Sequence, residues 1–210
     1  FDAEPKNRLA LNAVAKNGVN AVALSQTVVN RSVHTYSHLI ETPEATNQKS
    51  SGRCWLFAGL NTLRLAAMEK MKLEAFELSQ SYLMFWDKLE KANFFLESII
   101  KTREEPLDGR LVMWLLANLL NDGGQWDMFV NLIEKYGVVP KSVMPETHSS
   151  SQSRWMNRVL IGKLRENAQT LRTMHAQGAT VDEMRQAKGE MMEIFYRMLC
   201  IHLGQPPSDF

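Results

Sequence analysis

Gln48-Lys49-Ser50-Ser51-Gly52-Arg53-Cys54-Trp55-Leu56-Phe57 is the stretch on which the fold turns: a polar loop containing a glycine runs into an apolar helix, with a cysteine at the junction. From Leu56 onward the apolar residues Leu56, Leu60, Leu63 and Ala67 recur at helical spacing, with Gly59 and Ala66 beside them, which predicts a helix from about Cys54 to Met71 buried along one face. The first turn of a helix carries unpaired N–H groups and the positive end of the macrodipole, so a thiol placed there ionises more readily than a free one. Arg53 is expected to add a neighbouring positive charge. The competing reading of Cys54 is a small buried hydrophobe.

Gln48 lies upstream in the same loop. Its side-chain amide, folded back beside Cys54, could join the Cys54 backbone N–H in donating to a developing oxyanion; otherwise it is an exposed loop amide. Downstream, Asn121-Asp122-Gly123-Gly124 reads as a loop whose paired glycines permit close approach by another chain, and Gln125 opens the next helix.

Working outward, Pro5 to Asn17 predicts a short helix stopped by Gly18, and the alternation over Val33 to Ile40 predicts a strand. Ser79 reads as the cap of a helix with Tyr82, Leu83, Phe85, Trp86 and Leu89 on one face, followed by a separate helix at Asn93 to Lys101. The segment Arg110 to Leu120, apolar nearly all round, is expected to be a buried helix. Helix 125–136 ends at Gly137, and Val138-Val139-Pro140 is extended. Ser149-Ser150-Ser151 is the expected boundary between a first domain, 1–148, and a helical hairpin, 149–210. In that hairpin Trp155, Val159, Leu164, Ala168 and Leu171 mark the apolar stripe of the first helix. The second, capped by Thr180 and Glu183, carries Met184, Ala187, Met191, Phe195, Met198 and Ile201.

Composition narrows the function. The net charge of +1 comes from 24 basic and 23 acidic side chains without a basic stripe, so nucleic-acid binding is not expected. No apolar run is long enough for a membrane span, and two distant cysteines, Cys54 and Cys200, suit a reducing compartment; a soluble, cytoplasmic protein is expected. Cys200 reads as core packing, and the methionines of the last helix as core or interface rather than a soft-metal site. His34, His38, His148, His175 and His202 lack a ligand pattern, so no metal and no cofactor are expected.

The segment Gln48 to Phe57 resembles the active-site segment of papain-like cysteine peptidases. Leu78-Ser79-Gln80 is similar to the helix start that follows the nucleophile helix in that family, and Gly123-Gly124 to its substrate-binding glycine pair. Thr46 to Trp55, Gln80 to Leu83 with Phe85 to Lys88, and Asn121 to Met128 narrow the resemblance to the bleomycin hydrolase and bacterial aminopeptidase C branch. The resemblance implies an α+β papain-like fold, of which these residues are the mostly helical, nucleophile-bearing part with a helical insertion. It further implies Cys54 as nucleophile, Gln48 as oxyanion donor, and Gly123 and Gly124 holding an extended peptide substrate. Gln125 either touches the substrate or only starts its helix. An aminopeptidase preference and a homohexamer are implied as well, with the 149–210 hairpin as oligomer contact. The family's general-base histidine and its orienting asparagine have no counterpart motif here. With Phe1 at the start and a Pro-Pro turn near Phe210, the chain is expected to be a fragment with little or no activity alone. The rival expectation is a catalytically incomplete binding or scaffold protein.

Overall fold

The computed structural model describes residues 1, 3–33, 35–37 and 44–208, and the chain divides into two compact units, 1–41 and 42–210. The first contains α1 (Pro5–Asn17), α2 (Val19–Ala23) and α3 (Gln26–Arg31), none of which buries a residue. Proline at the start and Gly18 at the end bound α1 as expected; the Gly18 N–H reaches back to the Val14 carbonyl at 2.8 Å. The strand expected over 33–40 is not found at Val33, Thr35, Tyr36 or Ser37, while His34 and residues 38–40 lie outside the described residues. Alternation alone makes no strand without a neighbour to accept its hydrogen bonds, and the described residues offer only two isolated bridges, both elsewhere.

The second unit is built on α4 (Cys54–Met71), α5 (Gln80–Lys101), α6 (Arg110–Ala117), α7 (Trp126–Tyr136), α8 (His148–Ser151), α9 (Ser153–Ala176) and α10 (Val181–Leu203). Helix α5 is its axis, packed against α4, α7, α9 and α10. Ser79 caps it, accepting the Tyr82 N–H at 3.0 Å. Where two helices were expected over 79–101 there is one, because Glu90-Lys91-Ala92 are good helix formers with no glycine or proline to break the run. Leu83, Phe85, Leu96 and Ile99 on it are fully buried.

Helix α6 departs from its expected burial. Only Val112 and Leu115 are buried, while Leu111, Met113 and Trp114 are each more than half exposed. Two turns of helix touch the core along one line, whatever the residues on the other sides. The hairpin α9–α10 docks on α5 through Met156, Leu160, Leu164, Ala168 and Leu171 from one helix and Met184, Phe195, Leu199 and Leu203 from the other. Trp155 and Val159 fall one position before that stripe and, like Ile201, are exposed rather than inward. The capping box at Thr180 and Glu183 forms, the Thr180 N–H donating to Glu183 Oε2 at 2.7 Å.

Candidate active site

Cys54 is the first residue of α4 and is exposed, so the buried-hydrophobe reading does not hold. The helix beneath it is anchored by Leu56, Phe57 and Leu60 and by close contact with α7. A Cβ built on Gly59 would lie 2.3 Å from the Phe129 ring, so only glycine lets the two helices approach so closely. The thiol therefore stands at the end of a rigid element.

The loop ahead of it is held by a chain of hydrogen bonds. Asn61 Nδ2 donates to Thr46 Oγ1 at 2.9 Å, tying the loop's start to α4. The Lys49 N–H donates to Asn47 Oδ1 at 2.8 Å, a turn that carries Lys49 into the left-handed region at φ 55. The Ser51 hydroxyl donates to the Gln48 carbonyl at 2.7 Å and accepts from Arg53 Nε at 2.9 Å. The Gln48 side chain is half-buried, and its Oε1 finds no hydrogen-bond partner among the described residues.

Arg53, expected to add a positive charge beside the thiol, is itself paired. It is buried and forms a two-pronged pair with Glu146, Nη1 to Oε1 at 2.8 Å and Nη2 to Oε2 at 2.7 Å, with its guanidinium 5.0 Å from the centre of the Phe57 ring. Burial would raise the Glu146 carboxyl, but hydrogen bonding and charge from Arg53, with the Ser150 hydroxyl, hold it below its ordinary range. A guanidinium held in this way ties the loop ahead of α4 to Glu146.

Gly124 lies against Trp55, whose indole N–H donates to the Asp122 carbonyl at 2.8 Å. A Cβ on Gly124 would sit 2.6 Å from the Trp55 ring. Two lysines from α5 hold this glycine loop from below. Lys91 Nζ donates to the carbonyls of Asn121 (2.7 Å) and Gly123 (2.8 Å) and pairs with Asp87 at 2.8 Å. Lys88, fully buried, pairs with Asp122. Desolvation lowers the Lys88 pKa against the attraction of Asp122 and Asp87, and desolvation likewise raises that of Asp87. For Asp122 burial is outweighed by Lys88 and by hydrogen bonds from Lys88, Ser153 and Asn157, which bring it down to about 2.

Gln125 is the N-cap residue of α7 and makes no side-chain cap; it is exposed, on the rim of a cavity of about 230 Å³ that Trp55, Gly59, Thr62, Gly124 and Phe129 also line. A larger cavity, about 500 Å³, lies between α5 and α7 and includes none of the residues 48–55 or 121–125. Segments far apart in sequence thus converge at the start of α4. Of the histidines, His202 is engaged by the Ser149 hydroxyl at 3.0 Å, and none hydrogen-bonds Cys54 among the described residues.

The model of the peptidase C1-like family matches residues 1–210. The chain belongs to that family. This family member is 47% identical to bleomycin hydrolase of Oryctolagus cuniculus over 211 residues, 99% of this chain and 76% of that one. It is 46% identical to bleomycin hydrolase of Homo sapiens, covering 100% of this chain and 47% of the relative, and 47% identical to aminopeptidase C of Listeria innocua, covering 99% and 46%. Among solved structures, PepW from Lactobacillus rhamnosis superposes with a TM-score of 0.94 at 48% identity, over 100% of this chain and 47% of that one. The chain thus spans about half the length of most of these relatives. Its fold is the helical portion of the papain-like α+β fold.

Lys91, Glu146, Ser153 and Asn157 escaped the sequence reading, and Lys88 and Asp122 entered it only within the Phe85 to Lys88 and Asn121 to Met128 stretches, with no role of their own. A further signal is Asp87-Lys88 and Lys91 on a helix otherwise rich in core residues, where a charge must find a partner.

Proposed function

We propose that this family member is a cysteine peptidase, and more narrowly an aminopeptidase of the bleomycin hydrolase type. The observation that carries the reading is an exposed thiol on the first turn of a buried helix, next to a loop pinned at both ends. In this reading the Cys54 thiolate attacks a peptide carbonyl carbon, the C–S bond forms and the carbonyl electron pair moves to oxygen. The Cys54 N–H and the Gln48 amide donate to that oxyanion. Collapse expels the amine, which takes up the proton given up by the thiol, and water then hydrolyses the thioester to release the acid.

Glycines 123 and 124 would bind the substrate backbone in an extended pose. Because Lys91 occupies the Gly123 carbonyl, Gly124 is the better placed of the two to meet the substrate. Gln125, on the cavity rim, would contact a substrate side chain. The hairpin 149–210 reads as an insertion in the catalytic domain and as the contact of a homo-oligomer, a hexamer by family resemblance, with Trp155, Val159 and Ile201 exposed on it. No helix among the described residues is long and apolar enough to cross a membrane, and a cytoplasmic location is proposed with the rest.

The test is hydrolysis of aminoacyl fluorogenic amides by the full-length gene product beside Cys54→Ala. Loss of turnover in the variant supports the reading, and equal turnover in both rules out Cys54 as the nucleophile.

A further inference from the structure

Asp122 is fully engaged by donors from three separate parts of the chain. A carboxylate offers about four acceptor positions, and all are taken here. Oδ2 accepts from the Gly52 N–H at 3.3 Å and the Ser153 hydroxyl at 2.8 Å, and Oδ1 accepts from Asn157 Nδ2 at 2.8 Å and from Lys88. Its main-chain carbonyl is held by Trp55. Gly52 lies two residues before Cys54, and Gly124 two residues after Asp122, so this one side chain spans the gap between the thiol and the backbone proposed to bind substrate. The approach is so close that a Cβ on Gly52 would lie 2.5 Å from the Asp122 Cβ.

We propose that Asp122 is a positioning residue for the peptidase reaction, fixing the nucleophile loop and the glycine loop in one register against the first turns of α9. The proposal rests on the cysteine peptidase reading above. Asparagine has the same shape but cannot replace it. Its NH2 must face either the Gly52 N–H, which can only donate, or the Lys88 ammonium, so one of the two connections is lost. The thiol itself stays where α4 puts it. A small reagent that needs only the sulfur should then be insensitive to the change, whereas a peptide that must bridge thiol and glycine loop should not.

The experiment compares wild type, Asp122→Asn, Asn157→Ala and Cys54→Ala in the full-length protein. Its readouts are kcat and KM on an aminoacyl fluorogenic amide and the alkylation rates with iodoacetamide and with a peptidyl chloromethyl ketone. Asp122→Asn is expected to lose about 10²-fold in kcat/KM and in the peptidyl reagent's rate, a misalignment effect, with the iodoacetamide rate within about threefold of wild type. Asn157→Ala removes one outer donor whose own Oδ1 has no hydrogen-bond partner among the described residues. It should show the same split at about a tenfold level, and it carries the test if Asp122→Asn does not fold. Unchanged kcat/KM, or equal losses with both reagents, overturns the positioning role. An active Cys54→Ala sinks the underlying peptidase reading instead.

Discussion

Arg53, the residue that precedes the thiol, and Glu146, 93 positions away in the chain, meet in a two-pronged ion pair at 2.8 and 2.7 Å. Arg53 is 1% exposed. Removing Glu146 leaves that guanidinium buried without a counterion, so Glu146→Ala should destabilise the protein by about 3–5 kcal/mol. Equilibrium urea unfolding measures it; a change below about 1 kcal/mol, the range of an exposed pair, would show that solvent already reaches the guanidinium.

Gln48 should behave in the opposite way. Its Oε1 has no partner among the described residues, so Gln48→Ala gives up no hydrogen bond there and should leave the unfolding midpoint close to that of wild type. If the amide donates to the oxyanion, kcat falls by about 10²–10³-fold. A variant with wild-type kcat removes Gln48 from the chemistry.

Two glycine-to-alanine changes separate substrate binding from packing. Gly124→Ala brings a methyl to 2.6 Å from the Trp55 ring and must push the loop away, so KM for peptide amides should rise while α4 and α7 stay packed. Gly59→Ala places a methyl 2.3 Å from Phe129 and should instead cost about 1–3 kcal/mol of stability through overpacking. Measuring KM and unfolding on both variants checks the separation, and a Gly124→Ala enzyme with unaltered KM would remove that glycine from substrate binding.

Acid should loosen the same region. Asp122 titrates at about 2, below its ordinary 3.8, and Glu146 is also lowered. Groups depressed on folding stabilise the native state above their unfolded pKa and lose that contribution as the pH falls through the folded value. The contribution is thus complete above about pH 5 and disappears toward pH 2. A carboxyl brought from 3.8 down to about 2 corresponds to about 2.5 kcal/mol. Solvent access to the carboxylate and the desolvation of Lys88, whose own pKa moves the unfavourable way, reduce this to roughly 1–2 kcal/mol. Urea midpoints at pH 5, 3.5 and 2 for wild type and Asp122→Asn should converge as the pH drops; parallel curves would exclude Asp122 as the group responsible.

Most of the helical frame is legible in the sequence because its signals are local. Pro5 and Gly18 bound α1, Ser79 caps α5, Gly137 ends α7, and Thr180 with Glu183 starts α10, each through groups within four residues. Long-range choices are not legible in this way. The apolar character of α6 does not say how few of its residues find the core, whereas Met156 and Leu160 stand at helical spacing from Leu164, Ala168 and Leu171, so the exposure of Trp155 and Val159 is legible from their phase. The thiol, its loop and the glycine pair stand out by residue type. The side chains that hold them together do not, since Asp122, Glu146 and Ser153 are ordinary polar residues until the fold brings their partners to them.

Ser50, Gly52 and Arg53 are bonded to a stretch that is synthesised much later. The Ser50 N–H reaches the Ser151 carbonyl at 3.0 Å, Arg53 reaches Glu146, and Gly52 shares Asp122 with Ser153. On the ribosome, Cys54 therefore emerges about a hundred residues ahead of the segment that frames it. The loop cannot make these contacts until Glu146, Ser151 and Ser153 have left the exit tunnel. Translation thus delivers the Cys54 thiol before any of these groups that frame it.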